Sequence, residues 1–187
     1  MAERPTLETP RLVLRPFVLG DARDVQRFAG AREVAATTLA IPHPYEDGMA
    51  EEWISTHQAA FDAGTMVTLA VTLKAGGALL GVIDLHIEPA HQRAEMGYWI
   101  AVPYWNQGYC TEAACAMLHY GFVERGLHRI GATHFGSNPA SGRVMQKIGM
   151  VYEGRLRDFI VKWGRFEDLV HYGLLRDQWA ARQTASP

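Results

Sequence analysis

Between Tyr98 and Glu112 the chain reads Tyr-Trp-Ile-Ala-Val-Pro-Tyr-Trp-Asn-Gln-Gly-Tyr-Cys-Thr-Glu, and this passage constrains the fold more than any other. An apolar strand enters a short loop, and the loop opens a helix at Thr111. A further apolar strand, Arg129 to Phe135, follows that helix, and a strand–helix–strand passage implies a parallel crossover in a mixed sheet. Gln107 to Thr111 offer several backbone N–H groups at the helix start. Unsatisfied donors and about half a positive charge there attract phosphate. Gly108 has no Cβ, so a ligand can approach its backbone closely. No Lys follows the glycine, which excludes the nucleoside-triphosphate loop. No G-x-G-x-x-G lies near the N-terminus, so the dinucleotide fingerprint is also excluded. A glycine before a helix also serves as a plain turn, so these residues alone leave the anion site open.

Composition narrows the class. A chain of 187 residues fits one domain over 1–187, and its 48% hydrophobic content supplies a sizeable core. A net charge of −2 argues against general nucleic-acid binding. No apolar run reaches the roughly 18 residues of a membrane span, since Lys74 and the glycines interrupt the longest candidate. Cys110 and Cys115 match no metal or redox spacing. The start, Met-Ala-Glu-Arg-Pro, lacks the apolar centre of a signal peptide, so a cytoplasmic location is expected. The small, polar tail 180–187 is expected to fray.

The remaining elements follow from period and punctuation. Arg11 to Phe17 is the first strand, with Leu12 and Leu14 alternating with Arg11, Val13 and Arg15. Asp21 is placed to cap a helix burying Val25 and Phe28 and stopping at Gly30. Trp53, His57 and Phe61, with Ile54 beside them, recur at helical spacing until Gly64. Val67 to Leu73 and Leu79 to Ile87 are strands two and three, and Glu95 to Val102 is the fourth. The helix from Thr111 buries Ala114, Met117, Leu118 and Phe122 and ends at Gly126. Pro139 opens a short helix closed by Gly149. Two long strands then flank Trp163-Gly164-Arg165.

This order, with four local patterns, resembles the GNAT superfamily of acyl-CoA-dependent N-acyltransferases, and within it the RimJ/RimL-like branch of ribosomal-protein N-terminal acetyltransferases. The patterns are Thr9-Pro10-Arg11-Leu12 with Arg15-Pro16-Phe17, then Ala94-Glu95-Met96-Gly97-Tyr98-Trp99, then Trp105-Asn106-Gln107-Gly108-Tyr109-Cys110-Thr111-Glu112-Ala113, then Asn138-Pro139-Ala140-Ser141 with Lys147-Ile148-Gly149-Met150. The resemblance implies an α/β fold with a mixed, largely antiparallel sheet of about six to seven strands and flanking helices. The sheet is implied to splay between strands four and five, where the pantetheine of acetyl-CoA lies like an added strand. Two places depart from the superfamily. Trp105 and Cys110 hold the first and last positions of the pyrophosphate loop, and Met145 stands where many members carry a Tyr seven residues after the asparagine.

The implied site follows residue by residue. Gln107, Gly108, Tyr109, Cys110 and Thr111 are implied to cradle the pyrophosphate of acetyl-CoA, with Trp99, Ile100 and Val102 along the strand and Asn138 on the pantetheine arm. Backbone N–H groups near Trp99 or Ile100 would hold the thioester carbonyl. Glu95 is the candidate base, directly or through water; a solvated charge on a strand face is its plainer reading. Ser141 is the nearest hydroxyl to replace the missing Tyr, and a helix-start hydroxyl is its plainer reading. Asn138 also reads as a turn residue before Pro139. Trp53, Trp99 and Trp105 serve packing first and pocket lining second. Asp84 and His86 share a strand face that either lines the amine pocket or, the plainer reading, faces solvent; Arg155, Arg157, Asp158 and Arg165 either contact an acidic or peptidic acceptor or, the plainer reading, are exposed charges. His57, His86, His119 and His134 are scattered, so no metal site is expected. Neither cysteine has a base beside it to support a covalent relay.

The resulting reading is acetyl transfer from acetyl-CoA to a primary amine in a ternary complex, the acceptor being a protein or peptide N-terminal α-amine such as a ribosomal-protein terminus. Polyamines, aminoglycosides and other small amines are the alternative acceptors within the fold; a non-catalytic acyl-CoA-binding sensor and a nucleotide-binding module using the Gly108 loop are the alternatives of other functional classes. No nucleic acid, membrane or metal is expected, and a homodimer is left open.

Overall fold

The computed structural model describes residues 2–185. Strands β1 (Leu7–Glu8) and β2 (Leu12–Arg15) come first, then helices α1 (Ala22–Ala29), α2 (Arg32–Ala35) and α3 (Met49–Asp62). A meander follows of β3 (Met66–Leu73), β4 (Leu79–Glu88) and β5 (Arg93–Ile100). Helix α4 (Tyr109–His119) crosses to β6 (Arg129–Phe135), and α5 (Pro139–Lys147) leads into the hairpin β7 (Val151–Lys162) and β8 (Arg165–Leu175). Helix α6 (Arg176–Ala185) ends the described chain. The eight strands form one sheet, ordered β1-β2-β3-β4-β5-β6-β8-β7. Every pairing is antiparallel except β5 with β6.

The alternation seen in the sequence decides what lies on each face. Val67, Leu69 and Val71 of β3, Ile83 and Leu85 of β4, and Met96 and Ile100 of β5 pack with Ala114, Met117 and Leu118 of α4 and with Met145 of α5. The other face carries Ala70, Val82 and Trp99, covered by Val25 and Ala29 of α1 and Ala50, Ile54 and Trp53 of α3. A period of two residues in the strands thus divides one sheet between two helical layers.

The parallel pair is short. Only Arg93, Ala94 and Glu95 of β5 pair with Arg129, Ile130 and Gly131 of β6. Beyond Glu95 the two strands part, while β6 stays paired with β8 along its whole length, from Arg129↔Leu175 to Phe135↔Leu169. The expected splay is therefore present, with the fourth strand of the sequence reading being β5.

Several boundaries differ from expectation. The eighth strand is β1, two residues matched to Leu14 and Val13, too short to show any period. The strand expected to reach Val102 ends at Ile100, because Val102 to Tyr104 form a single turn around Pro103. Helix α4 starts at Tyr109 and not Thr111. It gives way at Tyr120 to a wider π turn reaching Glu124, which still buries Phe122. Asp21 makes no cap bond to α1. Its carboxylate instead accepts from both terminal nitrogens of Arg15, each at 2.8 Å, and from the Val18 N–H at 2.9 Å. Residues 180–185, expected to fray, continue α6, and Trp179 explains why: its ring packs 5.4 Å from Phe122 and 5.7 Å from His119. The last two residues of that tail, 186–187, lie outside the described residues. Among the described residues no helix is long and apolar enough to cross a membrane.

Candidate active site

The parting of β5 from β6 opens a hole through the sheet, and a cavity of about 1010 Å³ runs through it. Its lining comes from both faces. Tyr98, Ile100, Cys110 and Ser141 belong to the α4–α5 side, and Trp53, Asp84, Glu95 and Trp99 to the α1–α3 side.

On the α4–α5 side the entrance is the start of α4. Gly108 caps the helix in the left-handed conformation, φ 81°, which a residue with a Cβ adopts only under strain. The first-turn amides of Tyr109, Cys110 and Thr111 have no carbonyl within the helix behind them, whereas the Glu112 N–H reaches Gly108 O at 3.1 Å. The loop is fixed from a distance. Arg11 donates through Nε to Glu112 Oε2 at 2.7 Å and through Nη1 to the Gln107 carbonyl at 3.0 Å. Its guanidinium lies 4.5 Å from the centre of the Tyr109 ring. Thr9 Oγ1 and the Arg11 N–H bind Glu112 Oε1 at 2.6 and 2.9 Å. Gly108, Tyr109, Cys110 and Thr111 line the cavity, as do Arg143 and Lys147 of α5. Gln107 and Val102 do not: Gln107 turns its amide to Pro103 O at 3.0 Å, and Val102 sits exposed on its turn. Burial pushes the Cys110 thiol up to about 12, so it is no nucleophile at neutral pH.

Along β5, alternation decides which amides face the hole. The Ala101 N–H bonds Leu80 O at 2.7 Å and the Gly97 N–H bonds Asp84 Oδ1 at 3.1 Å, both on the β4 side. By the alternation of an antiparallel ladder the Trp99 N–H turns to β4, and those of Tyr98 and Ile100 turn to the opening. The Ile100 carbonyl also faces away from β4 and accepts from Trp105 Nε1 at 2.6 Å.

At the far edge, Asn138 caps α5, its Oδ1 accepting weakly from the Ser141 N–H at 3.4 Å. The Ser141 hydroxyl lies 2.9 Å from the Tyr98 hydroxyl, which also stands 3.2 Å from the Ser141 carbonyl. Burial raises the Tyr98 pKa, so its proton stays in place as a donor. Met145 is a core residue, 1% exposed.

Glu95 lines the cavity with part of its side chain exposed and the rest buried. Burial therefore raises its pKa, while Arg129, a hydrogen bond from Thr133 and His86 pull in the other direction. Gly131 makes room for it: a Cβ there would stand 2.7 Å from Glu95 Oε2. His86 is directly opposite Glu95 in the β4–β5 register. The bond to Asp84, with Nε2 3.3 Å from Oδ1, raises the His86 pKa. Asp84 and His86 thus line the cavity, as do all of Trp53, Trp99 and Trp105. Arg155, Arg157, Asp158 and Arg165 do not line it, and Arg155 pairs with Asp168. Among the described residues no group of His, Cys, Asp or Glu is arranged to hold a metal ion.

Sequence reasoning missed Tyr98 as the partner of Ser141 and Arg11 as the tether of the Gly108 loop. Arg11 and Glu112 were each visible in a quoted motif, but nothing in one sequence links positions so far apart.

A cavity that crosses a sheet, with the unpaired first-turn amides of a helix on one face and a carboxylate on the other, is suited to a transferase that brings two substrates together through the opening. Comparison with known proteins makes that class specific. Residues 11–151 match the model of the acetyltransferase (GNAT) domain, and the chain belongs to that family. YoaA of Bacillus subtilis, an uncharacterized N-acetyltransferase, is 30% identical over 182 residues, covering 92% of this chain and 97% of YoaA. The ribosomal-protein-serine acetyltransferase of Escherichia coli is 30% identical over 100 residues, 53% of this chain and 56% of that protein. The crystal structure of a GNAT-family acetyltransferase from Bacillus anthracis superposes with a TM-score of 0.82 at 30% identity, covering 92% of this chain and 99% of that one. The protein is an N-acetyltransferase of the GNAT type.

Proposed function

We propose that the protein transfers the acetyl group of acetyl-CoA to the α-amine of a protein or peptide N-terminus, by direct attack in a ternary complex. The observation that carries this is the single cavity passing between β5 and β6, because donor and acceptor can then approach from opposite faces and meet in the opening. The similarity to a ribosomal-protein-serine acetyltransferase supports an N-terminal acceptor.

The residues present fit coenzyme A. The first-turn amides of α4 behind Gly108 suit the pyrophosphate, and Arg143 and Lys147 add positive charge at the same end. Asn138 suits the pantetheine amides. Acetyl-CoA supplies the acetyl group already activated as a thioester. The Ile100 N–H is placed to hold the thioester oxygen as it gains negative charge. Glu95, its pKa raised by burial, takes a proton from the incoming ammonium, directly or through water. The amine nitrogen then forms its bond to the acetyl carbon as the carbon–sulfur bond breaks, and the nitrogen's surplus proton passes to the leaving thiolate, which departs as the free thiol of coenzyme A. Ser141, oriented by Tyr98, gives the departing sulfur a hydrogen bond. Cys110 takes no covalent part, because its thiol stays protonated.

The test is thiol release from acetyl-CoA with a panel of free-amine peptides, each product checked by mass for a single acetyl group on the N-terminus. Release without any acetylated amine, or acetylation of an enzyme residue on the route, would refute direct transfer.

A further inference from the structure

The α1–α3 half of the cavity is a chamber with its own chemistry. Its deep walls are Val25 and Ala29 of α1, Val34 of α2, Ile41, Trp53 and Trp99. Val25, Ala29 and Val34 are each 1% exposed, so the chamber reaches into the core of this layer. Its roof, the segment 36–48, is tied down on two sides. Lys162 Nζ donates to the carbonyls of Leu39 and Ile41 at 3.4 and 3.2 Å. Gln26 Nε2 donates to Tyr45 O at 3.3 Å, and His43 Nδ1 lies 3.1 Å from Gly30 O. The walls are therefore in place before a ligand arrives.

We propose that the acceptor amine carries a bulky apolar group beside its nitrogen, an aromatic or branched side chain, and that this group fills the chamber. The proposal rests on the transfer reading above, which gives the α4–α5 half of the cavity to the donor. Two observations point to this occupant. First, the carboxylates do not suit a second ammonium deep inside. Asp84 already serves the Gly97 N–H at 3.1 Å and His86 at 3.3 Å, and Glu52, which also lines the cavity, is an exposed residue of α3 whose charge is met by water. A second positive charge among Val25, Ala29 and Val34 would be desolvated without a partner, whereas an apolar group gains by leaving water. Second, Thr68 lines the cavity, is 4% exposed, and its Oγ1 has no hydrogen-bond partner. Buried hydroxyls are normally paired, so this one is free for a polar atom of the ligand next to the apolar group. Thr68 is in register with Asp84, and Asp84 with Gly97, one row along the sheet from His86 and Glu95. One anchor near the amine and apolar walls beyond it describe an amphipathic amine, not a polyamine.

Calorimetric titration of the CoA-saturated protein with phenylalaninamide, serinamide and spermidine reads this without turnover. Phenylalaninamide is expected to bind at least about tenfold more tightly than either of the others, as apolar pockets discriminate by about 10- to 200-fold. Ile41→Trp, which fills the chamber from the roof, is expected to erase that difference. Should that variant not fold, Met49→Trp fills the same chamber from α3, where Met49 is 38% exposed. Equal affinities, a preference for spermidine, no binding of phenylalaninamide, or an unchanged preference in the filled variant would each overturn the inference. Brisk acetylation of amines without any apolar preference would sink the chamber alone. Selective phenylalaninamide binding without acetylation of any amine would sink the transfer reading instead.

Discussion

Glu95 and His57 show how one chain uses burial in opposite ways. Glu95 lines the cavity, and burial raises its pKa above the ordinary carboxylate value. As pH falls through that raised value the carboxylate protonates and can no longer accept a proton. We expect kcat/KM to fall on the acid side with that pKa. In Glu95→Gln the acid limb should vanish and kcat drop by about 10²- to 10⁴-fold, with CoA affinity unchanged. A Gln variant that keeps both its rate and its acid limb would make Glu95 structural. His57 lies on α3, 3% exposed, with neither ring nitrogen bonded, and its ring stands edge-on to Trp53 at 4.4 Å. Burial, with Arg4 nearby, lowers its pKa from 6.5 to about 4. Between those values the unfolded chain holds a proton that the folded protein does not. Stability is therefore complete above pH 6.5 and is lost as pH falls towards 4. His57→Leu removes this titration, so its Tm should fall less steeply than that of the wild type between pH 7 and 4.5. Parallel Tm curves would show that His57 does not control acid stability. Single residues were legible where a motif carried them, as for Glu95, Ser141 and Gly108. Tyr98 was not, because its role depends on a 2.9 Å contact with a helix more than forty positions away.

At the scale of elements, the start of α4 is built from two distant segments. The helix and its glycine cap come from the loop, but the clamp comes from Thr9 and Arg11 in the turn between β1 and β2. Such a clamp fixes the amides before the ligand arrives, so less order must be gained on binding. Arg11→Ala removes the bond to the Gln107 carbonyl and the pairing with Glu112. We expect the KM for acetyl-CoA to rise severalfold with kcat held, and Arg11→Lys to restore only part of it, since Lys lacks the planar fork. The Tm should fall by only about 2–4 °C, in line with roughly 1 kcal/mol for a partly exposed pair in a chain of this size. An unchanged KM would show that the loop needs no tether. Most elements were legible because their periods were strong, and β6 spans Arg129–Phe135, the bounds expected of it. The misses have local causes. β1 is two residues long, and Asp21 was taken from α1 by Arg15, a competition between two hydrogen-bonding partners that spacing cannot resolve.

The whole molecule adds what neither residues nor elements hold, which is the hole in the sheet. The strand–helix–strand passage predicts that β5 and β6 are parallel neighbours. It does not predict that pairing stops after Glu95, and the splay was expected from resemblance alone. That stop joins two helical layers through one cavity and sets the Glu95 carboxylate across the sheet from the α4 amides. With one carboxylate proposed as base, and Met145 rather than a phenol on α5, the site has modest means for proton transfer. Its natural match is an amine that is already largely neutral. An α-amine titrates near 7.7–8.0, so about a third of it is neutral at pH 7.5, whereas a Lys amine near 10.4 is only about a thousandth neutral. That population difference alone favours the α-amine by more than about a hundredfold at equal intrinsic reactivity, and the greater basicity of Lys recovers only part of it. We therefore expect a peptide with a free N-terminus to exceed the same peptide, blocked at its N-terminus and carrying one Lys, in kcat/KM at pH 7.5. The gap should narrow as pH rises towards 9, because the α-amine has by then finished titrating while the neutral fraction of Lys still grows. A preference for the blocked Lys peptide at pH 7.5, or a ratio independent of pH, would assign this cavity to a different amine.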